Sequence, residues 1–542
     1  MSGNLTAADR DPATAGSDSR AGTLGREAGG TPTREVELKL AVPPAELVRL
    51  VRDDGLRDLG AEAPGEARLL TTYYDTGDLA LAAAGLALRV RRQGRSIVQA
   101  VKSLDRLGDA AAVAVRREWE WQLAKPAPDV SLLVRDGVAD LLPAGALERI
   151  GPIFTTDFRR TSYRIRPDPL TEIEVALDSG EIRAGVAHRP ISEIELELKS
   201  GRLDALFELA LDLQRRVPLR ISPESKAEAG FALMAARPPA PSAPALPSLT
   251  PIATTAEGFR HVMRHGIGHL LANEGAALTC GDPEAVHQMR IALRRLRTAL
   301  SLFSAGLVPD EAAHHRDELG WLAGRLGPAR SWDVLCDETL AGFASRHGGS
   351  DPGFAALQAA AEDSARAAHR KAAEGIRSPR YTTLLLTLGG WIESGRWQAP
   401  GPETAALLAR PLREPAALWL GELQRKVGKA GRGLARLDEE ERHRLRLRVK
   451  RLRYAAELLR GLYPAAAGPY LDALERLQDR LGGLNDLATA RRMVEALAEE
   501  ADRPARAAAR DVCSWIERRM GKRLAALAED WDSFGSTAPF WL

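Results

Sequence analysis

Charged and apolar residues alternate with a period of two in Glu35-Val36-Glu37-Leu38-Lys39-Leu40. This is the pattern of a strand with one polar and one packed face, and it points Glu35, Glu37 and Lys39 the same way. The alternation returns in Arg89-Val90-Arg91, in Arg116-Arg117-Glu118-Trp119-Glu120, from Glu172 through Glu174 to Asp178, and from Glu193 through Glu195 and Glu197 to Lys199. The pattern predicts strands over residues 35–40, 69–75, 86–92, 96–103, 113–123, 153–166, 170–177 and 191–199. Helices are predicted after Pro43-Pro44, with Leu47, Leu50, Val51 and Leu59 as its apolar stripe, and over 129–150 and 203–217. An antiparallel sheet usually keeps one face dry and one wet. If this one closes into a barrel, its charges point inward and must pair with each other, with metal ions or with a charged ligand.

The pattern changes along the chain. Residues 1–33 hold almost no large apolar side chains and read as a disordered leader. Residues 236–253 are dense in Pro, Ala and Ser, the composition of an extended linker. From 254 to 540 the chain is rich in Ala, Leu, Arg and Glu at helical spacing, and reads as all-α. An internal repeat runs through this part. His287-Gln288-Met289-Arg290-Ile291-Ala292-Leu293-Arg294 and onward to Arg297 matches His443-Arg444-Leu445-Arg446-Leu447-Arg448-Val449-Lys450 and onward to Arg453, 156 residues later. Arg325-Leu326-Gly327 is echoed by Arg480-Leu481-Gly482, with Asp333 and Asp486 following. Two helical halves related by a pseudo-twofold are expected, each with one basic helix.

Composition narrows the classes. The chain of 542 residues is 45% hydrophobic and 27% charged with a net charge of +2, so it can fill several domains and is not globally polarised toward nucleic acid. Three dispersed cysteines, Cys280, Cys336 and Cys513, make neither a zinc spacing nor a disulfide framework, which fits a reducing cytoplasm. No apolar run reaches the roughly 20 residues of a membrane span, and no signal peptide is evident. There is no phosphate-binding Gly-rich loop ending in Gly-Lys-Ser/Thr, and Ser225 has no adjacent base. Arg and Lys bind phosphate oxygens, while Glu and Asp bind Mg²⁺ or Mn²⁺ that bridge to phosphate. Inward-facing charges of both signs therefore suit a metal-bound polyphosphate, attacked by water.

The first part resembles the CYTH domains, or triphosphate tunnel metalloenzymes. The resemblance rests on Glu35-x-Glu37-x-Lys39, Tyr73-Tyr74-Asp75-Thr76, Leu88-Arg89-Val90-Arg91, Lys102, Arg116-x-Glu118-x-Glu120, Thr156-Asp157-Phe158-Arg159-Arg160, Glu174 with Asp178, Glu195-x-Glu197 and Ser225-Lys226 over residues 34–235. It implies a closed eight-stranded antiparallel tunnel with flanking helices that processes triphosphates with divalent metal. Lys39, Arg89, Arg91, Lys102, Arg116, Arg160 and Lys226 would then grip phosphate. Glu35, Glu37, Glu118, Glu120, Glu174, Asp178, Glu195 and Glu197 would hold metal and water, with Glu35, Glu37 and Lys39 at the chemical centre. Glu193 shares the strand face of Glu195, and Glu172 falls toward a rim. Ala229 stands where the family often has arginine.

On the two basic helices, His287, Arg290, Arg294 and Arg297 share one face, as do His443, Arg446, Lys450 and Arg453. Neither segment carries acids to neutralise them, so two such faces on one groove make an anion site. This part resembles the CHAD domains, which implies binding of inorganic polyphosphate. His261, His265 and His269 have i,i+4 spacing, but an ordinary helix face explains them better than a metal site. The expected whole is an α+β multidomain chain that hydrolyses inorganic triphosphate and binds polyphosphate, with no membrane and no specific nucleic-acid partner. A thiamine or nucleoside triphosphate, an adenylate cyclase reaction, or a catalytically idle polyphosphate scaffold remain alternatives.

Overall fold

The computed structural model describes residues 33–52, 56–104, 112–243, 246–279, 281–463 and 467–542. The expected leader, apart from residue 33, and Cys280 lie outside the described residues. Eight antiparallel strands form the first part: β1 (Thr33–Ala41), β2 (Gly65–Asp75), β3 (Leu86–Gln93), β4 (Ser96–Ser103), β5 (Ala114–Gln122), β6 (Gly151–Asp168), β7 (Thr171–Ala184) and β8 (Ala187–Ser200). They run in the order β5-β4-β3-β2-β6-β7-β8-β1. The first half of β1 pairs β5, with Glu35 opposite Arg116, and its second half pairs β8, with Lys39 opposite Glu195. One strand with two partners closes the sheet into a barrel and leaves no free edge. A ninth strand, β9 (Arg220–Ile221), adds only to the end of β1. Two-residue turns join β3 to β4 and β7 to β8, with Gly94 and Gly185 at φ of 58° and 59°, the left-handed conformation such hairpins need.

The barrel is packed on its outside. Leu38, Leu40, Val175, Leu177, Ile194 and Leu196 point outward and are buried. They are covered by α1 (Pro44–Arg52) and α4 (Asp204–Gln214). Leu88, Val101, Trp119 and Trp121 pack outward under α2 (Ala80–Ala83) and α3 (Val130–Arg135). The predicted helix over 129–150 is corrected to α3 and two short 3₁₀ turns, because Gly137 and Gly145 both adopt positive φ and Pro143 lies between them. The first helix ends at Arg52, and Leu59 belongs to a separate 3₁₀ turn. Inside the barrel, Leu69, Tyr73, Phe154 and Phe158 form an apolar cluster with Ala227 and Ala229 of α5 (Lys226–Met234). A side chain at Gly230 would overlap the Phe154 ring, so this glycine is what lets α5 sit so close.

The second part is helical: α6 (Thr255–Thr279), α7 (Pro283–Leu302), α8 (Pro309–Asp333), α9 (Ala341–His347), α10 (Pro352–Arg377), α11 (Pro379–Ser394), α12 (Pro402–Ala409), α13 (Arg413–Ala430), α14 (Glu439–Leu459), α15 (Ala467–Glu500), α16 (Arg503–Ala525) and α17 (Leu527–Ser536). Asp282 caps α7 and Asp438 caps α14 through a capping box with Glu441, so acids sit where the helix dipole favours them. Met289, Leu293, Leu296 and Leu300 of α7, and Leu445, Val449 and Leu452 of α14, are buried. Their basic faces are left for the groove described below. No described helix is long and apolar enough to cross a membrane.

The two parts share an apolar core. Phe207 of α4 is fully buried, and its ring lies over Gly389 and Gly390 of α11. Thr382 of α11 donates to the Leu219 carbonyl at 2.8 Å, and Arg220 of β9 donates to Glu274 of α6 at 2.9 Å. The intervening segment is not free: Ser242 exchanges hydrogen bonds with the Asn273 side chain, and Leu249 is buried.

Candidate functional site

The inner face of the barrel is lined by charges from almost every strand around a cavity of about 380 Å³. The register explains why they meet. Glu37 on β1 stands opposite Glu197 on β8, which stands opposite Glu174 on β7. Like charges placed directly opposite repel, so this row needs cations. Lys199 supplies one, 2.6 Å from Glu197 and 3.5 Å from Glu174. Arg116 donates to Glu37 at 2.9 Å and to Glu228 of α5 at 3.2 Å. Lys102 bridges Glu35 at 2.6 Å and Glu118 at 3.1 Å, Arg89 donates to Glu118 at 2.9 Å, and Arg91 to Glu120 at 3.3 Å. Deeper in, Lys226 lies 2.7 Å from Asp178 and 2.8 Å from Glu195, and also touches Glu193. Lys39 lies 3.0 Å from Glu195 and 3.4 Å from Glu193, and Arg160 grips Asp178 and Glu195.

The carboxylates hold these cations charged despite burial. Burial works to lower Lys39, Lys102 and Lys226, but their carboxylate neighbours outweigh it and push all three above the ordinary lysine value. Burial works to raise Glu35, and the Lys102 ammonium outweighs it and holds Glu35 low. Glu37 goes the other way. Burial and the charges of Glu35 and Glu195 push it up to about 7, against the opposing charges of Lys39 and Lys102. Asp178, Glu193 and Glu195 converge closely enough to share a cation, and are the one such group among the described residues. The Lys226 ammonium already contacts all three.

Of the tunnel residues expected from the sequence, all line the cavity except Asp178. Asp178 is fully buried beneath Lys226 and Arg160. Arg160 points inward while Arg159 is exposed on the outside. Glu193 enters the ion network, and Glu172 pairs with Arg164 and Arg166 away from the cavity lining. Sequence reasoning missed Lys199 and Glu228. The first continues the alternation from Glu195 and Glu197, so its parity announced it. Glu228 gave no strand signal, because it is the third residue of α5 and completes a capping box with Ser225.

In the helical part, α7 and α14 lie side by side and present their basic faces to a groove of about 990 Å³. His287, Arg290, Arg294, Arg297, His443, Arg446 and Lys450 line it, joined by Arg316, Arg330, Arg451, Arg492 and Arg523. Acids are few: Glu338, Asp479 and Asp486. Arg453 is corrected. It is absent from the groove lining and instead binds Glu457 at 2.7 Å and Glu475 at 2.6 Å. One step beyond Lys450, the helical rotation carries it toward the acids of α15. Burial and the charges of Arg294 and Arg446 push Lys450 down to about 7. Burial and Arg294 and Arg330 push Arg290 down to about 10. His261, His265 and His269 form no convergent metal-binding group among the described residues. His269 is buried and shares a 3.1 Å hydrogen bond with Gln288.

Comparison with known proteins follows the same division. The CYTH domain family matches residues 33–231, and the CHAD domain family matches residues 261–495. The inorganic triphosphatase of Haemophilus influenzae is 31% identical over 212 residues, which cover 37% of this chain and 55% of that protein. The chain thus spans about half the length of this relative. The CHAD domain from the plant Ricinus communis shares 33% identity, covering 56% of this chain and 98% of that one, with a TM-score of 0.48. A putative adenylyl cyclase from Hippeastrum, described as having a dominant triphosphatase activity, shares 21% identity, covering 37% of this chain and 95% of that one, with a TM-score of 0.28.

Proposed function

Because this chain carries a CYTH domain followed by a CHAD domain, we propose that its tunnel hydrolyses inorganic triphosphate to diphosphate and phosphate with a divalent metal ion, and that its groove binds inorganic polyphosphate. The observation that supports the first reading best is the Glu37–Glu197–Glu174 row, three carboxylates facing one another across adjacent strands inside a closed and cation-rich cavity.

The residues present fit a hard divalent ion. Such ions take carboxylate oxygens, and the register sets three of them, from Glu37, Glu197 and Glu174, across adjacent strands. Glu35, Glu37, Glu174 and Glu197, with Glu118 and Glu120 across the cavity, would hold Mg²⁺ or Mn²⁺. Asp178 and Glu195 act chiefly as counterions for Lys226, Lys39 and Arg160. A bound ion would neutralise phosphate charge and lower the pKa of a coordinated water. Lys39, Arg89, Arg91, Lys102, Arg116, Arg160 and Lys226 grip the phosphate oxygens, with the arginines as bidentate forks. As substrate oxygens replace carboxylates at these cations, the freed acids are available to orient water and accept its proton. Water oxygen bonds to the terminal phosphorus, the bridging P–O bond breaks, and diphosphate leaves.

Phosphate release from tripolyphosphate, ATP and thiamine triphosphate, each with Mg²⁺ or Mn²⁺, tests this reading. The expected result is metal-dependent release that is fastest with tripolyphosphate. Fastest release from an organic triphosphate would reassign the substrate, and no metal-dependent release from any of the three would reject the enzymatic reading.

A further inference from the structure

Gly327 in α8 and Gly483 in α15 stand 156 residues apart, the same offset as the two basic helices and one residue out of step with the Arg-Leu-Gly echo, which pairs Gly327 with Gly482. Neither has a positive φ, so backbone conformation does not require glycine at either place. A glycine inside a helix is less favourable than alanine. The reason for each glycine is what lies over it. At Gly327 a Cβ would stand 3.1 Å from Arg290 Nη1. At Gly483 a Cβ would overlap the guanidinium of Arg523, which crosses the bare backbone of α15 to reach the groove. The neighbouring Gly482 has nothing within 4 Å of its Cβ position, so the opening belongs to one residue.

The two halves fill the equivalent place from different sources. Arg290 belongs to the basic row of α7. Its repeat counterpart, Arg446, leans toward Asp486 at 3.7 Å instead. The vacated place over Gly483 is taken by Arg523 of α16, which lies beyond the residues matched to the CHAD family. No carboxylate of the described residues forms an ion pair with Arg523, and its charge is felt by Asp479 across the groove wall.

We propose that Arg523, seated over Gly483, is a polyphosphate-binding residue of the groove and completes its second half from outside the repeat. This rests on the reading above that the groove binds polyphosphate. A guanidinium already laid against the groove wall has lost rotamer freedom before the ligand arrives, so more of its interaction appears as affinity.

The test titrates the full chain with inorganic polyphosphate of defined length over a series of salt concentrations. Arg523→Gln removes the charge. Gly483→Ala leaves it but displaces the guanidinium, and alanine favours the helix, so circular dichroism should show the fold intact. Both variants are expected to weaken binding by roughly five- to tenfold, the net size of one ordinary hydrogen bond at a solvent-open site. Arg523→Gln is expected to reduce the slope of log K against log salt by about one. Gly468→Ala, at a glycine of α15 outside the groove lining with nothing within 4 Å of its Cβ position, should match the wild type, and the double variant of Arg523→Gln with Gly483→Ala should bind no worse than Arg523→Gln alone. Wild-type affinity and slope in Arg523→Gln, or a loss in Gly483→Ala that Arg523→Gln does not share, would overturn the proposal. Failure of the wild-type chain itself to bind polyphosphate would instead overturn the reading of the groove, and this proposal with it.

Discussion

Lys39 in the tunnel and Lys450 in the groove are both lysines withdrawn from water, and they respond in opposite directions. Lys39 sits between Glu193 and Glu195 and is pushed above the ordinary lysine value in spite of burial. Lys450 sits among Arg290, Arg294 and Arg446, with Asp486 as its acid neighbour, and burial and those arginines push it down to about 7. The same contrast holds for the whole sites. Nine basic residues face seven acids in the tunnel lining, against ten basic residues and three acids in the groove. A cavity that is nearly neutral beforehand gains little from a bare anion, since each phosphate oxygen must displace a carboxylate. It is suited to a ligand that brings its own cation. A groove with a large uncompensated charge is suited to a bare polyanion, which relieves repulsion among the arginines as it binds.

The largest effect should come from separating the two sites by mutation. Glu37→Gln keeps the shape of the side chain and removes the charge that the ion needs. Turnover of tripolyphosphate should fall by about 10³-fold or more, as for loss of a central catalytic group, while polyphosphate binding stays at the wild-type level. Arg290→Glu with Arg446→Glu should do the reverse, abolishing groove binding and leaving turnover of tripolyphosphate unchanged. If either variant damages both functions equally, the division of labour between the sites is wrong.

Salt should distinguish the sites next. Four simultaneous phosphate contacts in the groove predict a loss of about 100-fold in affinity between about 50 and 200 mM monovalent salt. The tunnel exchanges ion pairs inside the protein for ion pairs with substrate, so its KM should change by less than about tenfold over the same range. Equal salt slopes for binding and KM would mean that the tunnel is not charge-balanced when substrate enters.

The parity of charged residues in β1, β7 and β8 is sufficient to place Glu35, Glu37, Lys39, Glu174, Glu195 and Glu197 on one face, because a strand admits only two faces. That this face is the inner one depends on β1 pairing both β5 and β8, a contact between distant segments that no local pattern encodes. The helix expected over 129–150 failed because Gly137, Pro143 and Gly145 interrupt it, and local turn chemistry outweighed the apolar spacing. On the basic helices the 3.6 period located His287 to Arg297 correctly but carried one residue too far at Arg453, whose direction is decided by Glu457 and Glu475. Arg316, Arg330, Arg492 and Arg523 reach the groove from α8, α15 and α16. They are single positions on otherwise ordinary helix faces, so only the packing of those helices reveals them. The seam between the two parts was equally silent, since Phe207 reads as one more apolar residue of α4 until Gly389 and Gly390 are placed beneath it.

The smallest expected effect is the sharpest probe of the groove's uncompensated charge. In the free protein burial and the charges of Arg294 and Arg446 push Lys450 down to about 7. The groups that face it are Arg290 and Arg294 from α7, Arg446 from its own helix and Asp486 from α15, and the groove also carries His287 and His443. A bound polyanion opposes the arginines and moves Lys450 back toward its ordinary value. Between pH 7 and 9 the complex therefore holds more protons than the free groove, and binding takes protons up. By linkage, affinity must fall as pH rises through this window, by about three- to tenfold given the partial exposure of the site. Burial and the charges of Arg330 and Arg294 lower His287 in the free groove, and a bound polyanion opposes those charges there too, so the lysine's share is read from the difference between wild type and Lys450→Arg. Calorimetric titrations of polyphosphate in buffers of different ionisation enthalpy would count the protons directly. In Lys450→Arg the charge is permanent, and both the uptake and the pH slope between 7 and 9 should flatten while affinity at pH 7 is kept. An unchanged slope in Lys450→Arg would show that Lys450 is already charged in the free groove, and that the arginines around it do not repel it as the contrast with the tunnel requires.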